Sequence, residues 1–354
     1  MTFLFRRALN RLSPTTLKAA AVSSRIVSPA LEIGDRPSIH VPGEFDAIIN
    51  VVNGDRELEW KRISGAVRSH LPTIEYVLEK VRIKDSYLAS GRFVQHFRTR
   101  MPPDAGTIGP RVFDQAILSS NSLSGLEFGH WVRDSLVAEM HGLNEQIPAV
   151  GNARGAWPHE PDFRRLSGLM CQYVQDCRIG RLVVLDDRGH NAYWRGRFLA
   201  LRDRLRASVS GLPGKSAGPL ILLGRGAGGR IREPSNMPAI QVLLEALGFK
   251  TVVPTDLSLS EIGVMLRDAR IVVSAEGSHL NHLHFFAPAG TALILLQDPR
   301  RFYAYHKGLV DFYDGVFGFV VGRPDPEAPE LFTINADTLE RTLDLVEAAL
   351  TTRS

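Results

Sequence analysis

Three groups of residues in this chain have types and spacings suited to chemistry. Glu276-Gly277-Ser278 stands between an apolar run, Arg270 to Val273, and a short run, Leu280 to Phe286, that Pro288 and Gly290 stop. A strand, a small-residue turn and a helix leave free backbone N–H groups at the helix start, which suit a phosphate. Glu276 can accept from ligand hydroxyls, Gly277 lets the backbone approach closely, and Ser278 can cap the helix. Gly224-Arg225-Gly226-Ala227-Gly228-Gly229-Arg230-Ile231-Arg232 is the second group. Guanidinium groups make paired, charge-assisted hydrogen bonds to phosphate oxygens, so Arg225 and Arg230 suit a diphosphate. His130 and Asp134 are the third. At i and i+4 of a helix they share a face, and a carboxylate beside an imidazole makes a general base. The same spacing suits a histidine packed under Trp131 with Asp134 as its hydrogen-bond partner, and residue types alone leave both open.

Other patterns are weaker. Gly224 to Gly229 spells G-x-G-x-x-G, the dinucleotide fingerprint of an NAD-type oxidoreductase. In that fingerprint the glycines open the helix directly, whereas the first residues here placed to start one are Pro234 and Pro238. Asp186-Asp187 has the composition of a metal site but not the D-x-D spacing, and reads as a polar turn. His279 and His282 share a helical face near His284, yet no third ligand is evident, so no metal is expected.

These groups need elements to position them. After the linker 210–219, the apolar runs at 220–223, 250–253, 270–273, 292–296 and 315–321 alternate with helical stretches at 234–247, 259–269 and 336–350. That alternation predicts a parallel sheet with helices on both faces. Before the linker, 45–52, 111–118 and 181–185 read as strands. Helical spacing falls on Ile74, Val77, Leu78 and Val81, on 123–143 with Trp131, Leu136 and Met140 inward, and on 193–209. The expected division is a basic tail (1–40), an N-terminal lobe (41–209), a C-terminal lobe (220–335) and a final helix (336–354) that can cross back to the first lobe.

The 354 residues carry a net charge of +4, a mild excess that fits an anionic ligand. No aromatic-interleaved basic stripe or zinc-finger spacing points to nucleic acid. The two cysteines, Cys171 and Cys177, are spaced for neither a CxxC pair nor a zinc framework and read as reduced thiols of a cytoplasmic protein. No apolar run is long enough to span a bilayer. In the N-terminal stretch Phe5, Leu9 and Leu12 share a face among Arg6, Arg7 and Arg11, which fits either a peripheral membrane-surface helix or a disordered basic tail.

Taken in order, the motifs resemble the family 61 glycosyltransferases of the capsular-polysaccharide type. Gly129-His130-Trp131 through Asp134 comes first, then Arg225 and Arg230 after a strand, then Gly248-Phe249 and Val253-Pro254. Glu276-Gly277-Ser278 with Leu280, Phe285, Pro288 and Gly290 comes last. The family's asparagine after the leucine falls at His282, with Asn281 one place early. Glu233 stands in for half of an Asn-Glu pair. The resemblance implies a GT-B-like α/β fold: two Rossmann-like lobes with parallel sheets and a cleft between them. It implies inverting, metal-independent transfer from a nucleotide-sugar donor to a glycan or polysaccharide hydroxyl, with no cofactor. Arg225, Arg230, Glu276, Gly277, Ser278, Asn281 and His282 would hold the donor. His130, oriented by Asp134, would take the acceptor's proton. A non-catalytic nucleotide-sugar-binding protein of polysaccharide assembly is the alternative.

Overall fold

Short, fully apolar runs separated by helical stretches need both faces of a sheet covered. In the computed structural model, which describes residues 15–99, 111–152, 154–155, 157–226 and 232–352, they find that cover. The strands used below are β1 (Ser23–Ser28), β2 (Leu31–Ile33), β3 (Arg68–His70), β4 (Thr73–Lys84), β5 (Tyr87–Ser90), β6 (Phe93–His96), β7 (Arg111–Leu118), β8 (Ala149–Gly151), β9 (Cys171–Tyr173), β10 (Asp176–Asp186), β11 (Leu220–Leu223), β12 (Lys250–Val252), β13 (Ile271–Ala275), β14 (Ala292–Gln297) and β15 (Val316–Val321). The chain divides into two units. One takes the residues up to Leu31 and Ser69–Leu201; the other takes Glu32–Arg68 and everything from Arg202.

In the second unit the strand order is β12-β11-β13-β14-β15, every pair parallel. Numbered along the chain this is 2-1-3-4-5, a doubly wound order. The direction of winding reverses between β11 and β13, and ligands of such sheets bind at the carboxyl ends of the strands flanking that reversal. Helix Ala336–Thr351 packs Leu339, Leu343 and Val346 into the core formed by this sheet. The final helix therefore covers its own sheet, correcting the expectation that it crosses to the first lobe. Its apolar stripe recurs at helical spacing, and the nearest unburied sheet face takes it.

The domain bounds also differ from those expected. Residues 41–68 belong to the second unit, and the division falls inside helix Ala192–Ser210, not at the linker 210–219. The reason is hydrogen bonding. Ile39 bridges in parallel to Gly318, and the buried Glu44 carboxylate accepts from Val321 N. Ile49 and Asn50 donate to Pro299 O at 2.7 and 3.0 Å, and the Glu59 carboxylate accepts from Ala304 N at 2.7 Å. Residues 45–52 are accordingly turn and irregular chain with one isolated bridge at Val51, and not a strand, with Arg56 donating to Ile48 O and Phe45 O.

The first unit departs further from a Rossmann-like lobe. Among the described residues its sheet has eight strands, in the order β6-β5-β4-β10-β7-β8-β9 with β1 beside β4. Strands β10, β7, β8 and β9 run parallel, while β1, β10 and β5 all pair antiparallel with β4. The sheet is thus mixed, not parallel throughout. The stretch read as a helix at Ile74–Val81 is β4. Its β-branched residues fit a pleated strand, and pairing on both edges overrides the accidental helical spacing. Part of the expected tail is strand β1, whereas Phe5, Arg6, Arg7, Leu9, Arg11 and Leu12 lie outside the described residues. No helix among the described residues is long and apolar enough to cross a membrane.

Candidate active site

The carboxyl ends of β11, β13 and β14 are neighbours, so the loops that follow them meet. Arg225 follows β11, Glu276-Gly277 follows β13, and Arg301 follows β14. Arg225 Nη1 donates to the main-chain oxygen of Glu276. Arg232 Nη1 donates to Glu276 Oε2 at 2.7 Å, and Arg301 Nη1 donates to the same oxygen. The segment 49–52 pins the Arg301 loop through the Pro299 bonds and through Val51, which bridges in parallel to Phe302. Among the described residues Glu276 Oε1 and the amides of Gly277, Ser278 and His279 have no protein partner.

The electrostatics favour an anion. Three guanidinium groups gather around two carboxylates, Glu276 and Glu233, the latter accepting from Arg225 N at 3.3 Å. Burial would push the Glu276 carboxyl up, but Arg301 and Arg232 outweigh it and hold the group below the ordinary glutamate value. Burial, with the Arg232 cation beside it, pushes Arg225 down, against the pull of Glu276 and Glu233. Burial and the Arg225 charge hold His279 well below an ordinary histidine, so its ring is neutral; Nε2 lies 2.8 Å from Ser274 Oγ. A cavity of about 470 Å³ opens beside Arg225, lined by Gly224, Glu233, Met237, Gln241 and Leu331 among others. That volume is in the range of small-molecule sites.

Two glycines have steric reasons. A Cβ on Gly277 would stand 2.2 Å from Arg225 Nη1, and one on Gly226, whose φ is +71°, would stand 2.0 Å from Thr255 Oγ1. Gly277→Ala is therefore expected to turn Arg225 out of place, weakening nucleoside-diphosphate binding at least about tenfold, the worth of one charge-assisted hydrogen bond. Isothermal titration with UDP, beside a melting curve to show that the fold persists, checks it.

Several predicted donor residues are placed here with altered detail. Helix Leu280–Phe286 has His279 as its N-cap without a side-chain cap bond, so Ser278 does not cap it. Ser278 instead accepts from Asn281 Nδ2 at 2.6 Å through its carbonyl. Asn281 is fully buried, and among the described residues its Oδ1 has no hydrogen-bond partner. His282 is buried with Nδ1 2.8 Å from His279 O, and His284 bonds Tyr313 and His306, so the histidines point to separate partners. Arg230 lies outside the described residues, as do Gly228 and Gly229. The helix after β11 begins at Met237, well past the G-x-G-x-x-G stretch, which is not the geometry of a dinucleotide fingerprint. Asp186 and Asp187 are taken up by Arg188 and Arg197.

His130 and Asp134 are brought together in the first unit. His130 Nδ1 lies 2.7 Å from Asp134 Oδ2, and Asn121 Nδ2 donates to the same oxygen at 3.1 Å. Both side chains are about one-third exposed, the imidazole at 37%. Asp134 lies in a π-helical turn, Trp131–Ser135, which His130 directly precedes and in which Leu136 N is bonded to Trp131 O. Such insertions cost hydrogen-bond quality and recur at functional sites. With Nδ1 held by the carboxylate, Nε2 is the nitrogen left to take a proton. Trp131 is buried and Arg164 lies over it, so the tryptophan packs the helix and His130 stays accessible.

Sequence reasoning passed over Arg301 and gave Arg232 no role of its own. Arg301 stands in Asp298-Pro299-Arg300-Arg301, where nothing marks it out. Its position at the end of the next strand in the sheet was the signal available.

The family model described as Glycosyltransferase 61 matches residues 128–294, which include His130, Asp134, Arg225, Arg232 and Glu276. No curated protein matches the chain. Among solved structures, the flavodiiron protein from Giardia intestinalis is similar at 12% identity. The likeness covers 78% of this chain and 66% of that one, with a TM-score of 0.21, and carries no argument. The likeness to glycosyltransferase family 61 thus runs from the His130 helix through the Glu276 turn into β14.

Proposed function

We propose that the protein transfers a sugar from a nucleotide-sugar donor to a hydroxyl of a glycan or polysaccharide acceptor, with inversion, without a metal, and on a GT-B plan. The match of residues 128–294 to the family 61 model supports glycosyl transfer. The observation that carries the donor assignment is the meeting of Arg225, Arg232 and Arg301 at Glu276-Gly277, where the sheet's winding reverses. In the proposed step the acceptor O–H loses its proton to His130 Nε2, and the oxygen forms a bond to the donor's anomeric carbon. The bond from that carbon to the diphosphate breaks, and the diphosphate leaves with the electron pair. Charge grows on the leaving oxygens, and preorganised cations at that place lower the barrier directly. In this scheme the guanidinium cluster does what a divalent cation would do elsewhere.

Arg225, with Arg230, holds the diphosphate. Glu276 anchors Arg232 and Arg301 through Oε2 and keeps Oε1 for a donor hydroxyl. The amides of Gly277 and Ser278 and the unpartnered Asn281 Oδ1 take further polar atoms of the donor, with His282 packed behind them. A thermal-shift series with UDP, GDP, CMP, uridine and guanosine tests the donor site, since a ligand of the native state raises its melting temperature. A nucleoside diphosphate should raise it and the bare nucleosides should not. If no phosphorylated nucleotide does so, the donor assignment fails. Binding without release of diphosphate from any nucleotide sugar would favour a non-catalytic protein.

A further inference from the structure

Buried side-chain amides are expensive unless hydrogen-bonded, and the first unit shows both cases side by side. Asn191 is 1% exposed and fully engaged: Nδ2 donates to Leu71 O at 3.0 Å and Thr73 Oγ1 at 2.9 Å, while Oδ1 accepts from Tyr193 N and Trp194 N. Asn152 is also 1% exposed, yet among the described residues neither Nδ2 nor Oδ1 has a hydrogen-bond partner. An amide that can make about four hydrogen bonds and makes none is unusual in a folded chain.

Its place gives it meaning. Asn152 directly follows β8 and Ser120 lies just past the end of β7, neighbouring parallel strands paired at Leu118 and Val150. Asn152 N donates to Ser120 Oγ at 2.9 Å. The next residue, Asn121, holds Asp134, and Asp134 holds His130. Further along the Asn152 loop, the partly exposed Trp157 stands edge-on to Phe128, with centroids 5.9 Å apart at 63°, at the start of the His130 helix. The charges in this corner are paired with one another: Glu139 with Arg164, and Glu160 with Arg154 and Arg164.

We propose that Asn152, with Ser120, is a binding subsite for a neutral polyhydroxyl ligand, the sugar that supplies the attacking hydroxyl. A carboxamide donates and accepts at once, which matches two adjacent hydroxyls of a sugar ring, and the paired charges leave no net field for an ionic ligand. The assignment to the acceptor rests on the glycosyl-transfer reading; the unpartnered amide does not.

The test uses the full chain with Asn152→Leu, close in volume, and Asn152→Ala. Saturation-transfer NMR is run with the methyl glycosides of glucose, galactose, mannose and xylose, and melting is followed with and without UDP. At least one glycoside should receive saturation from the wild-type protein and lose it about tenfold or more in both variants. Asn152→Leu should melt at or above the wild type, because it removes a buried amide that nothing satisfies. Its UDP-induced shift should be unchanged. Equal saturation transfer in wild type and variants, none in the wild type, or an Asn152→Leu protein melting several degrees lower would each overturn the subsite. A lost UDP shift in every protein, with the glycoside result intact, would instead remove the donor reading and leave the subsite standing.

Discussion

Arg225→Ala is expected to lower transfer by about 10²- to 10³-fold, the usual cost of removing one preorganised donor from a developing anion. The nucleoside diphosphate should also bind far more weakly. Arg225 follows β11 at the reversal of the sheet and is held over Gly277 by its bond to Glu276 O. Burial and the Arg232 charge already weigh against its protonated form, so it gains more from an arriving anion than a surface arginine would. The fold should survive, because the residue lies in a loop and the core beneath it is built from Leu222, Val273, Ile294 and their neighbours. Arg225→Lys keeps the charge and loses the planar fork, and belongs between the two. Calorimetric titration with UDP and a diphosphate-release assay read both effects. Transfer at the wild-type rate in Arg225→Ala would remove this residue from the mechanism.

His130→Ala should reduce transfer by about 10²- to 10⁴-fold, the range for a lost general base, with nucleoside-diphosphate binding untouched. The pairing of Nδ1 with Asp134 fixes the ring and leaves Nε2 for the proton. Asp134→Asn keeps a hydrogen bond and the shape but favours the other tautomer, so it should fall in the same direction while melting near the wild type. A purely structural pair would behave differently, losing stability in both variants and sparing the turnover of whatever remains folded. Single-turnover kinetics at saturating donor, set beside melting curves, separate these outcomes.

Much of the second unit was legible because its strands are buried on both faces and read as unbroken apolar runs. Ile271–Ala275, Ala292–Gln297 and Val316–Val321 each carry an uninterrupted buried pattern. The first unit was harder. Strand β4 reads TIEYVLEKVRIK, in which buried and half-exposed positions do not alternate cleanly, because it pairs on both edges and packs unevenly. Segment 45–52 looks like a strand by composition, but its carbonyls are taken by Arg56 and its amides by the loop after β14. Local pattern could not reveal partners so distant in the sequence. At the site, Arg225, Glu276, Gly277, His130 and Asp134 were readable because glycine, charge and spacing marked them. Arg301 and Asn152 were not. One is an arginine among others, and the other is notable only for bonds it does not make.

The return of residues 32–68 to the second unit bears on how the chain is made. Ile39 and Glu44 leave the ribosome long before Phe317 and Val321, the residues whose main chain they bind. Loop-closure entropy must be met before that long-range contact gives anything back. During synthesis the early segment has nothing to pair with, and until it docks the β15 margin keeps unpaired main-chain groups, a standing invitation to association between nascent chains. A fragment started at Arg202 would carry that bare margin permanently and would lack the peg that seats the Arg301 loop. Dissection of this protein into halves thus runs against its own connectivity.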